Sequence, residues 1–320
     1  MATVFVTGVS GQDGRYLSEQ LQADGHAVVG IARVGHEPSR DRIGEGVALV
    51  EWDFADVRAL EALLREHRPT AMYNLAAYAT GAGMYDDPAS MGELNGIAVA
   101  RMLQAIERTD PAIRFCQASS SEMFGDPVQS PQDEGTPFRP QSPYAAAKLF
   151  AHTVVGAYRE RHALFACSAI LFNHESPRRG PAFVTRKIVD AVARIHAGDR
   201  RPLLLGDLDA QRDWGYAPDY VRAMRMMLEH DRPDDYVVAT GVLRTVGDFC
   251  EIAFAHAGLD WRDWVQGGVA DARNDCRKPR VGDARRIRDT LGWRPETDFG
   301  TLVSLMVDAA IAATGSRTQP

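Results

Sequence analysis

The sequence predicts an α/β protein, with a doubly wound parallel sheet followed by a smaller, mixed α/β domain. Short apolar runs rich in β-branched residues alternate with segments of helical periodicity through about residue 172. These runs are apolar throughout, which is typical of parallel strands that helices cover on both sides. The length of 320 residues, with 45% hydrophobic and 25% charged residues, suits one large domain or two closely joined ones.

Each element is predicted from its own pattern. The first strand, at 2–7, is separated by a glycine turn from a helical pattern at 16–21. Further strands are predicted at 27–32, 47–52, 71–75, 114–118 and 165–171. The helices between them are predicted at 56–66, 91–107 and 143–161. Beyond about residue 172, prolines and arginines interrupt the alternation, although a strand at 236–239 could rejoin the sheet.

Composition argues against several classes of protein. The net charge of −7 comes with no concentrated basic face, so nucleic acid is not an expected partner. No apolar stretch reaches the roughly 18 residues of a membrane span, and the N-terminus lacks a signal peptide's basic region, so we expect a cytoplasmic protein without a membrane partner. The nine histidines form no HxxH or HxxxH pair, so no metal site is predicted. Four cysteines are expected to be free thiols, namely Cys116, Cys167, Cys250 and Cys276.

A glycine-rich turn follows the first strand directly. Residues 7–14 read Thr-Gly-Val-Ser-Gly-Gln-Asp-Gly, with the spacing Gly-x-x-Gly-x-x-Gly. Gly8 permits the tight turn, Gly11 lets the backbone approach a pyrophosphate, and Gly14 allows the helix to pack closely on the strand. The phosphates would lie on the helix N-terminus, so the turn predicts a Rossmann-type dinucleotide site.

The ends of the next two strands indicate which dinucleotide is bound. An acidic residue at the end of the second strand would bind the ribose 2′-hydroxyl of NAD. That strand ends in Arg33, which could meet a 2′-phosphate and therefore favours NADP over NAD. Asp53, after the third strand, is a candidate partner for the adenine amino group or, alternatively, a helix cap.

Tyr144 and Lys148 stand four residues apart on the helix predicted at 143–161, so they share one helix face. A neighbouring ammonium and an oxidised nicotinamide would stabilise the tyrosine phenolate, which makes it a base near neutral pH. The lysine could also hold the nicotinamide ribose. With nine tyrosines and three lysines in the chain, about 0.08 such pairs are expected by chance.

The strand that precedes this helix ends in a serine-rich stretch with an acid. Ser120 could hydrogen-bond a substrate hydroxyl beside Tyr144, and Glu122 follows two residues later. The alternative is a serine-rich loop with a surface glutamate. The order of the two motifs along the chain favours the catalytic interpretation.

Together these motifs resemble those of the extended short-chain dehydrogenase/reductases, and within them the GDP-mannose 4,6-dehydratases. The resemblance extends from residue 3 to about 310. It is carried by the segments 7–14, 117–125, 142–148, 171–180, 183–188 and 212–215. The run Asn-His-Glu-Ser-Pro-Arg-Arg-Gly at 173–180 is highly specific.

The resemblance implies a redox-neutral dehydration of a sugar nucleotide, with a GDP-linked hexose favoured. Tyr144 would take the O4 proton while the C4 hydride passes to NADP+. The resulting 4-ketone acidifies C5–H, and Glu122 would remove that proton as the C6 hydroxyl leaves as water. The hydride then returns to C6 and gives a 4-keto-6-deoxy sugar. Simple 4-epimerases of the family typically lack a carboxylate at the position of Glu122, whereas related decarboxylases can carry one.

The same resemblance implies roles for the other site residues. Catalysis would fall to Ser120, Glu122, Tyr144 and Lys148. The cofactor would contact Gly8, Ser10, Gly11, Gln12, Asp13, Gly14, Arg33, Asp53, Leu75, Ala76, Tyr144 and Lys148. The substrate would contact Met84, Ser121, Asn173, Lys187, Arg212 and Arg273. Of these, Asn173, Lys187 and Arg212 would meet the diphosphate and base.

The resemblance also implies two domains and self-association. The NADP-binding domain would comprise 1–172 and about 213–245, and the sugar-nucleotide domain 173–212 and 246–320. A homodimer or homotetramer is implied, with helices 91–107 and 143–161 as candidates for the interface. For Arg178 and Arg179 three options stay open, namely a ligand contact, a subunit contact or a solvated basic turn.

The sequence departs from the family pattern in four places. The usual Gln-Ser-His-Val is replaced by residues 78–81, and Met84 stands where a sugar-contacting serine is expected. The usual arginine pair after the second strand is reduced to Arg33, and the catalytic threonine is Ser120. The family's Arg-Pro-x-Glu becomes 273–276, which keeps the arginine and loses the carboxylate. We therefore predict a dehydratase for a non-standard sugar nucleotide.

Alternative functions share the cofactor but differ in chemistry. A 4-epimerase would keep the C6 oxygen, and a 4-keto reductase would consume NADPH. A non-catalytic NADP-binding subunit would have no physical need for Ser120, Glu122, Tyr144 and Lys148 together.

Overall fold

The larger layer of the protein is a seven-stranded sheet. The structure is a computed structural model. It describes residues 2–35, 38, 42–78, 85–268 and 279–315. Within them, the strands of this sheet are β1 (Thr3–Thr7), β2 (Ala27–Arg33), β3 (Ala48–Trp52), β4 (Ala71–Asn74), β5 (Arg114–Ser120), β6 (Ala166–Leu171) and β10 (Tyr236–Val238). Every pairing is parallel, in the order β10-β6-β5-β4-β1-β2-β3. The predicted doubly wound parallel sheet is confirmed.

Helices cover both faces of this sheet because its strands are apolar on both sides. They are α1 (Gln12–Ala23), α2 (Val57–His67), α3 (Pro88–Gly92), α4 (Ala98–Thr109), α5 (Pro143–His162) and α7 (Ala217–Glu229). One core lies under α1 and α7 and includes Leu17 and Met224. The other lies under α2, α4 and α5 and includes Phe115, Leu103 and Val155. The strand order reverses at β1, because β2 lies on one side of it and β4 on the other. Sheets of this kind bind ligands at such a point.

The predicted helix at 91–107 is divided into three segments. A π-helical turn, Glu93–Ile97, separates α3 from α4. The extra residue of this turn directs the buried Asn95 inward, where its amide bonds the backbone N–H and carbonyl of Tyr78 at 2.8 and 3.2 Å. A helix-period pattern does not reveal such a turn because the apolar spacing on either side is unchanged.

A second, smaller layer follows β6. Its strands are β7 (Asn173–Glu175), β8 (Leu203–Leu205), β9 (Gln211–Tyr216), β11 (Leu243–Thr245) and β12 (Val265–Gly267). Its helices are α6 (Val184–His196), α8 (Val246–His256) and α10 (Phe299–Gly315), and they share a core with Trp214 of β9. In this layer β9 pairs with β7 and β11, and β12 pairs with β8.

Three stretches lie in a different layer from the one that the sequence-based domain boundaries give them. Most of β9 and all of β11 fall within those boundaries of the first domain, yet both strands belong to the smaller sheet. Ile287 of α9 (Arg285–Leu291) and Trp293 were assigned with the second domain, yet both are buried in the core beneath α7. The Trp293 indole N–H donates to the carbonyl of Asp219 at 2.9 Å, which anchors this stretch to α7.

Candidate active site

The glycine turn connects β1 to α1 and leaves no room for a side chain at Gly8 or Gly14. Gly8 has a φ of +67°, and a Cβ there would lie 2.8 Å from the backbone nitrogen of Ala76. A Cβ on Gly14 would lie 2.3 Å from the carbonyl oxygen of Gly8. The exposed Gly11 precedes Gln12, the first residue of α1. The turn therefore has the bare backbone and helix N-terminus that a dinucleotide pyrophosphate requires.

A buried polar network joins the carboxyl ends of β1, β4 and β5. The Thr7 hydroxyl donates to the Asn74 amide oxygen at 2.5 Å, and the Asn74 amide nitrogen donates to Gln117 at 2.8 Å. The Thr7 hydroxyl also accepts from the backbone N–H groups of Leu75 and Ala76, each at 3.1 Å. Leu75 and Ala76 are thereby held against the glycine turn, where a nicotinamide cofactor is expected. The network was not predicted, since its three side chains are dispersed along the sequence.

The predicted adenosine-side residues lie at the same edge of the sheet. Arg33 is exposed at the carboxyl end of β2, beside β1 and paired in register with Trp52. Asp53 is exposed immediately after β3, and its carboxylate accepts the Ala55 N–H at 3.0 Å. Ser10 is half-buried in the turn itself.

Gln12 and Asp13 bind the Asn-His-Glu-Ser segment at 173–176, which comprises β7 and the residue after it. The Gln12 amide donates to the His174 carbonyl at 3.1 Å and accepts the Ser176 hydroxyl at 2.8 Å. The Asp13 carboxylate lies 2.9 Å from His174 Nε2, and His174 Nδ1 lies 2.7 Å from the Phe172 carbonyl. Both partners of the imidazole are acceptors, so both ring nitrogens carry protons and the ring is a cation.

Electrostatics agree with this ion pair. Burial opposes the charge on His174, but Asp13 outweighs it and the pKa of His174 is raised. Burial likewise opposes the charge on Asp13, yet His174 lowers the pKa of that carboxyl. The Asp13–His174 pair therefore joins the start of α1, directly after the glycine turn, to β7. Spacing alone did not predict this pairing.

Arg178 and Arg179 make contacts within the chain. The Arg178 guanidinium forms two bonds to Glu19 of α1, at 2.9 and 2.7 Å, and lies over the Tyr16 ring. Arg179 lies 3.1 Å from the buried Glu175 carboxylate and over the Phe183 ring. The solvated basic turn considered for these residues is therefore wrong. The two arginines fix the loop against α1 and α6.

Tyr144 and Lys148 lie on the first turns of α5, which begins at Pro143 and is capped by the Ser142 hydroxyl. Lys148 is only 2% exposed, and its ammonium donates to the Ala118 carbonyl of β5 at 2.8 Å. Its nitrogen lies 5.8 Å from the centroid of the Tyr144 ring. Burial lowers the pKa of Lys148 to about 8, which leaves the amine predominantly charged at neutral pH.

Ser120 and Glu122 complete the arrangement from the end of β5. The Ser120 hydroxyl accepts the Glu122 N–H at 3.2 Å and bonds to the phenol of Tyr144. Loss of solvent and the Glu122 charge raise the pKa of Tyr144 to about 12, although the Ser120 hydrogen bond lowers it. The protein alone therefore holds a neutral phenol. Its activation as a base stays a prediction that requires the positive charge of an oxidised nicotinamide.

An unpredicted cation lies against the candidate C5 base. Arg280 Nη1 is 2.6 Å from Oε2 of Glu122. Arg280 enters the site from the segment before α9, far from Glu122 in sequence, so no local pattern pointed to it. The site therefore combines a hydroxyl, a phenol, an ammonium and an ion-paired carboxylate.

The predicted substrate residues are more dispersed. Asn173 begins β7 and Arg212 lies in β9, both half-buried, whereas Lys187 is exposed on α6. Ser121 is buried in a short 3-10 turn between β5 and α5. Met84, Arg273 and most of the altered segments at 78–81 and 273–276 lie outside the described residues.

The arrangement suits proton transfer beside a nicotinamide cofactor. The bare glycine turn, the Thr7 network and the buried lysine fit such a group. Across the described ranges, His, Cys, Asp and Glu side chains form no cluster of three or more that could hold a metal ion. No helix in the same ranges is long and apolar enough to cross a bilayer.

Comparison with known proteins identifies the family. Residues 5–306 match the family model described as GDP-mannose 4,6 dehydratase. The chain is 42% identical to GDP-mannose 4,6 dehydratase 2 of Arabidopsis thaliana, over 95% of this chain and 85% of that one. A Thermus thermophilus UDP-glucose 4-epimerase in complex with NAD superposes with a TM-score of 0.86 at 26% identity, covering 97% of this chain and 99% of the other. A Pseudomonas aeruginosa protein named RMD, complexed with NADPH, superposes with a TM-score of 0.82 at 24% identity, covering 98% and 100%. The chain therefore belongs to the GDP-mannose 4,6-dehydratase family.

Proposed function

We propose that the protein is a nicotinamide-dependent 4,6-dehydratase that converts a GDP-linked hexose to its 4-keto-6-deoxy product with loss of water. The observation that supports this most directly is the position of Glu122. Its carboxylate follows Ser120, the residue that hydrogen-bonds Tyr144, and it is close enough to raise the pKa of that phenol. A carboxylate at this place supplies the second proton transfer that dehydration needs and that 4-epimerisation does not.

The chain's own residues divide the proton transfers between them. Tyr144 takes the proton from the C4 hydroxyl, with Ser120 bonded to the same oxygen and Lys148 providing positive charge behind the ring. A bound nicotinamide supplies the temporary oxidation at C4 that makes C5–H acidic and the reduction at C6 that follows water loss. Glu122 takes the C5 proton and gives it to the departing C6 hydroxyl, which leaves as water. C5 takes up a proton as C6 is reduced, and this proton balances the one that Tyr144 took from the C4 hydroxyl, so the protein ends the cycle in its starting protonation state.

We further propose NADP as the cofactor, since an arginine and not an acid ends β2. Arg33 is exposed at the carboxyl edge of the sheet, where a 2′-phosphate could pair with it. Titration of the purified protein with NADPH and NADH by nicotinamide fluorescence tests this, together with Arg33→Ala. NADPH is expected to bind more tightly, and the substitution to remove most of that preference. Equal affinities in the native protein would contradict the proposal.

Three further features belong to this proposal. The substrate is a non-standard GDP-linked sugar, for which a modified hexose, a heptose or a sugar of a secondary metabolite would fit, because residues 78–81, 84 and 273–276 depart from the family pattern. The protein works in the cytoplasm. It assembles as a homodimer or homotetramer through α4 and α5, where Phe150 of α5 is 42% exposed. Light scattering on the purified protein measures the assembly directly.

The test of the function is a panel of GDP-, UDP-, CDP- and dTDP-sugars, analysed by mass spectrometry in H2O and D2O. A product lighter than its substrate by one water, with deuterium incorporated in D2O and no net NADPH consumed, is the expected result. An isomer of unchanged mass would indicate an epimerase, and net NADPH consumption a reductase. Robust turnover of plain GDP-mannose would contradict the non-standard-sugar part alone.

Glu122→Gln provides the decisive variant. Removal of a positioned general base is expected to lower kcat by about 10²- to 10⁴-fold. Glu160→Gln, an exposed acid on the same helix as Tyr144, is the control and should retain full activity. Full dehydratase activity in Glu122→Gln would refute the assignment of the base.

A further inference from the structure

The contact between Arg280 and Glu122 is more than a surface ion pair. The Arg280 side chain is only 12% exposed, whereas the Glu122 side chain is 40% exposed. At 2.6 Å between Nη1 and Oε2, the contact is a short, charge-assisted one. The arginine therefore reaches from a mostly buried position to the carboxylate that the proposed function uses as its C5 base.

The backbone around Arg280 is held by the buried side chain of Gln132. The Gln132 amide donates to the Pro279 carbonyl at 3.1 Å and accepts the Val281 N–H at 3.0 Å. The Gln132 backbone N–H donates to the Val281 carbonyl at 2.8 Å, and its carbonyl accepts the Asp283 N–H at 2.8 Å. Arg280 is therefore flanked on both sides by fixed peptide groups.

Gly282 adds a second anchor to the same segment. Its N–H donates to the buried Asp213 carboxylate at 3.1 Å. A Cβ on Gly282 would lie 2.3 Å from the Ala239 Cβ, so the segment lies directly against the end of β10. Since both neighbours of Arg280 are fixed in this way, the arginine projects from a rigid support.

Glu122 has the opposite character. It lies in a four-residue 3-10 turn, Ser121–Phe124, and its side chain is well exposed. A glutamate that is free to rotate loses rotamer entropy when it is fixed in one geometry. A rigid partner can fix the glutamate before the substrate arrives, which is the general advantage of preorganised sites.

We propose that Arg280 is a positioning residue that holds the Glu122 carboxylate in place for C5 deprotonation; this inference rests on the proposed dehydratase function. A carboxylate has about four acceptor positions on its two oxygens, so Glu122 can keep Arg280 while it takes the C5 proton. A guanidinium does not give up or accept protons near neutral pH. The C5 proton therefore stays on Glu122 until the C6 hydroxyl leaves.

The experiment compares Arg280→Met, which removes the charge and keeps much of the side chain, with Arg280→Lys, which keeps a charge. Arg285→Met is the matched control, because Arg285 begins α9 directly after this segment but is exposed and pairs with Asp283. Thermal melting establishes that each variant folds. If Arg280→Met does not fold, Arg280→Gln replaces it.

The first measurement does not need turnover. Labelling of Glu122 by a water-soluble carbodiimide and an amine, followed by peptide mass spectrometry, reports whether the carboxylate is paired. In Arg280→Met the labelling rate should rise several-fold, and in Arg285→Met it should equal that of the native protein. Equal rates in Arg280→Met and the native protein would overturn the proposal.

The second measurement is dehydration of the best GDP-hexose in the panel. For a base displaced by about an ångström, we expect a loss in kcat of about 10- to 100-fold, with KM changed by less than about threefold. Arg280→Lys should recover part of that loss. In a Glu122→Gln background, Arg280→Met should have little further effect, because the group it positions is gone.

The outcomes separate the two proposals. Faster labelling with unchanged kcat would show that the pair exists but positions nothing, which overturns the inference and leaves the dehydratase standing. Additive losses in the double variant would show a general structural role, which also overturns it. If the native protein removes water from no sugar nucleotide, the proposed function fails and Arg280 loses its role with it, while the labelling result still reports whether the pair exists.

Discussion

Gly14→Ala tests the claim that the turn after β1 is shaped for a dinucleotide. The added methyl carbon would lie 2.3 Å from the Gly8 carbonyl oxygen and 2.7 Å from the Val9 Cα. Both neighbours are backbone atoms, so α1 would have to shift by roughly 1 Å to restore an ordinary contact. Overpacking of this kind destabilises by about 1–3 kcal/mol. Alanine's better helix propensity offsets about 1 kcal/mol of it.

The matched control is Gly156→Ala on α5. A Cβ at that position meets only the Arg159 guanidinium, at 3.8 Å, so the same change should stabilise the protein by about 0.5–1 kcal/mol. Thermal melts and NADPH fluorescence titrations measure both variants. We expect Gly14→Ala to melt below the native protein and to bind NADPH at least tenfold more weakly, while Gly156→Ala melts slightly above it and binds normally. A Gly14→Ala protein that binds NADPH with native affinity would refute the packing argument.

Two further predictions concern buried charge. Burial lowers the pKa of Lys148 from 10.5 to about 8, so the folded protein loses that proton before the unfolded chain does. As pH increases from about 8 to 10.5, the free energy of unfolding of the native protein should therefore rise relative to that of Lys148→Met. A difference between the two free energies that is constant with pH would contradict this. The pKa of His174 is raised by Asp13, so that pair stabilises the folded state most below the ordinary histidine pKa of 6.5 and less as pH rises through the folded pKa. Asp13→Asn should destabilise by about 3 kcal/mol in mildly acidic buffer and by less in alkaline buffer, as chemical denaturation at several pH values can show.

The sequence was a good guide to the strands because their apolar runs are buried on both faces. The predicted strand at 27–32 and the observed β2, Ala27–Arg33, differ by one residue. The prediction failed where a local irregularity leaves the pattern intact, as in the π-turn at Glu93–Ile97. The assignment of stretches to domains by their order in the chain also failed near the C-terminus, because Trp293 belongs to the first core only through its tertiary contact with α7.

The site divides in the same way. Tyr144 and Lys148 could be predicted because helix geometry alone brings residues four apart onto one face. Asp13–His174 and Glu122–Arg280 could not, because each joins a residue of the nucleotide-binding half to one that follows β6. Such pairs depend on how segments far apart in the chain are brought together, which no local period encodes. In the proposed function both pairs matter directly, since one fixes the turn that would receive the cofactor and the other contacts the proposed C5 base. An enzyme that must hold a cofactor and a sugar at reacting distance needs contacts of this kind, because helices and strands alone orient each half but not one half relative to the other.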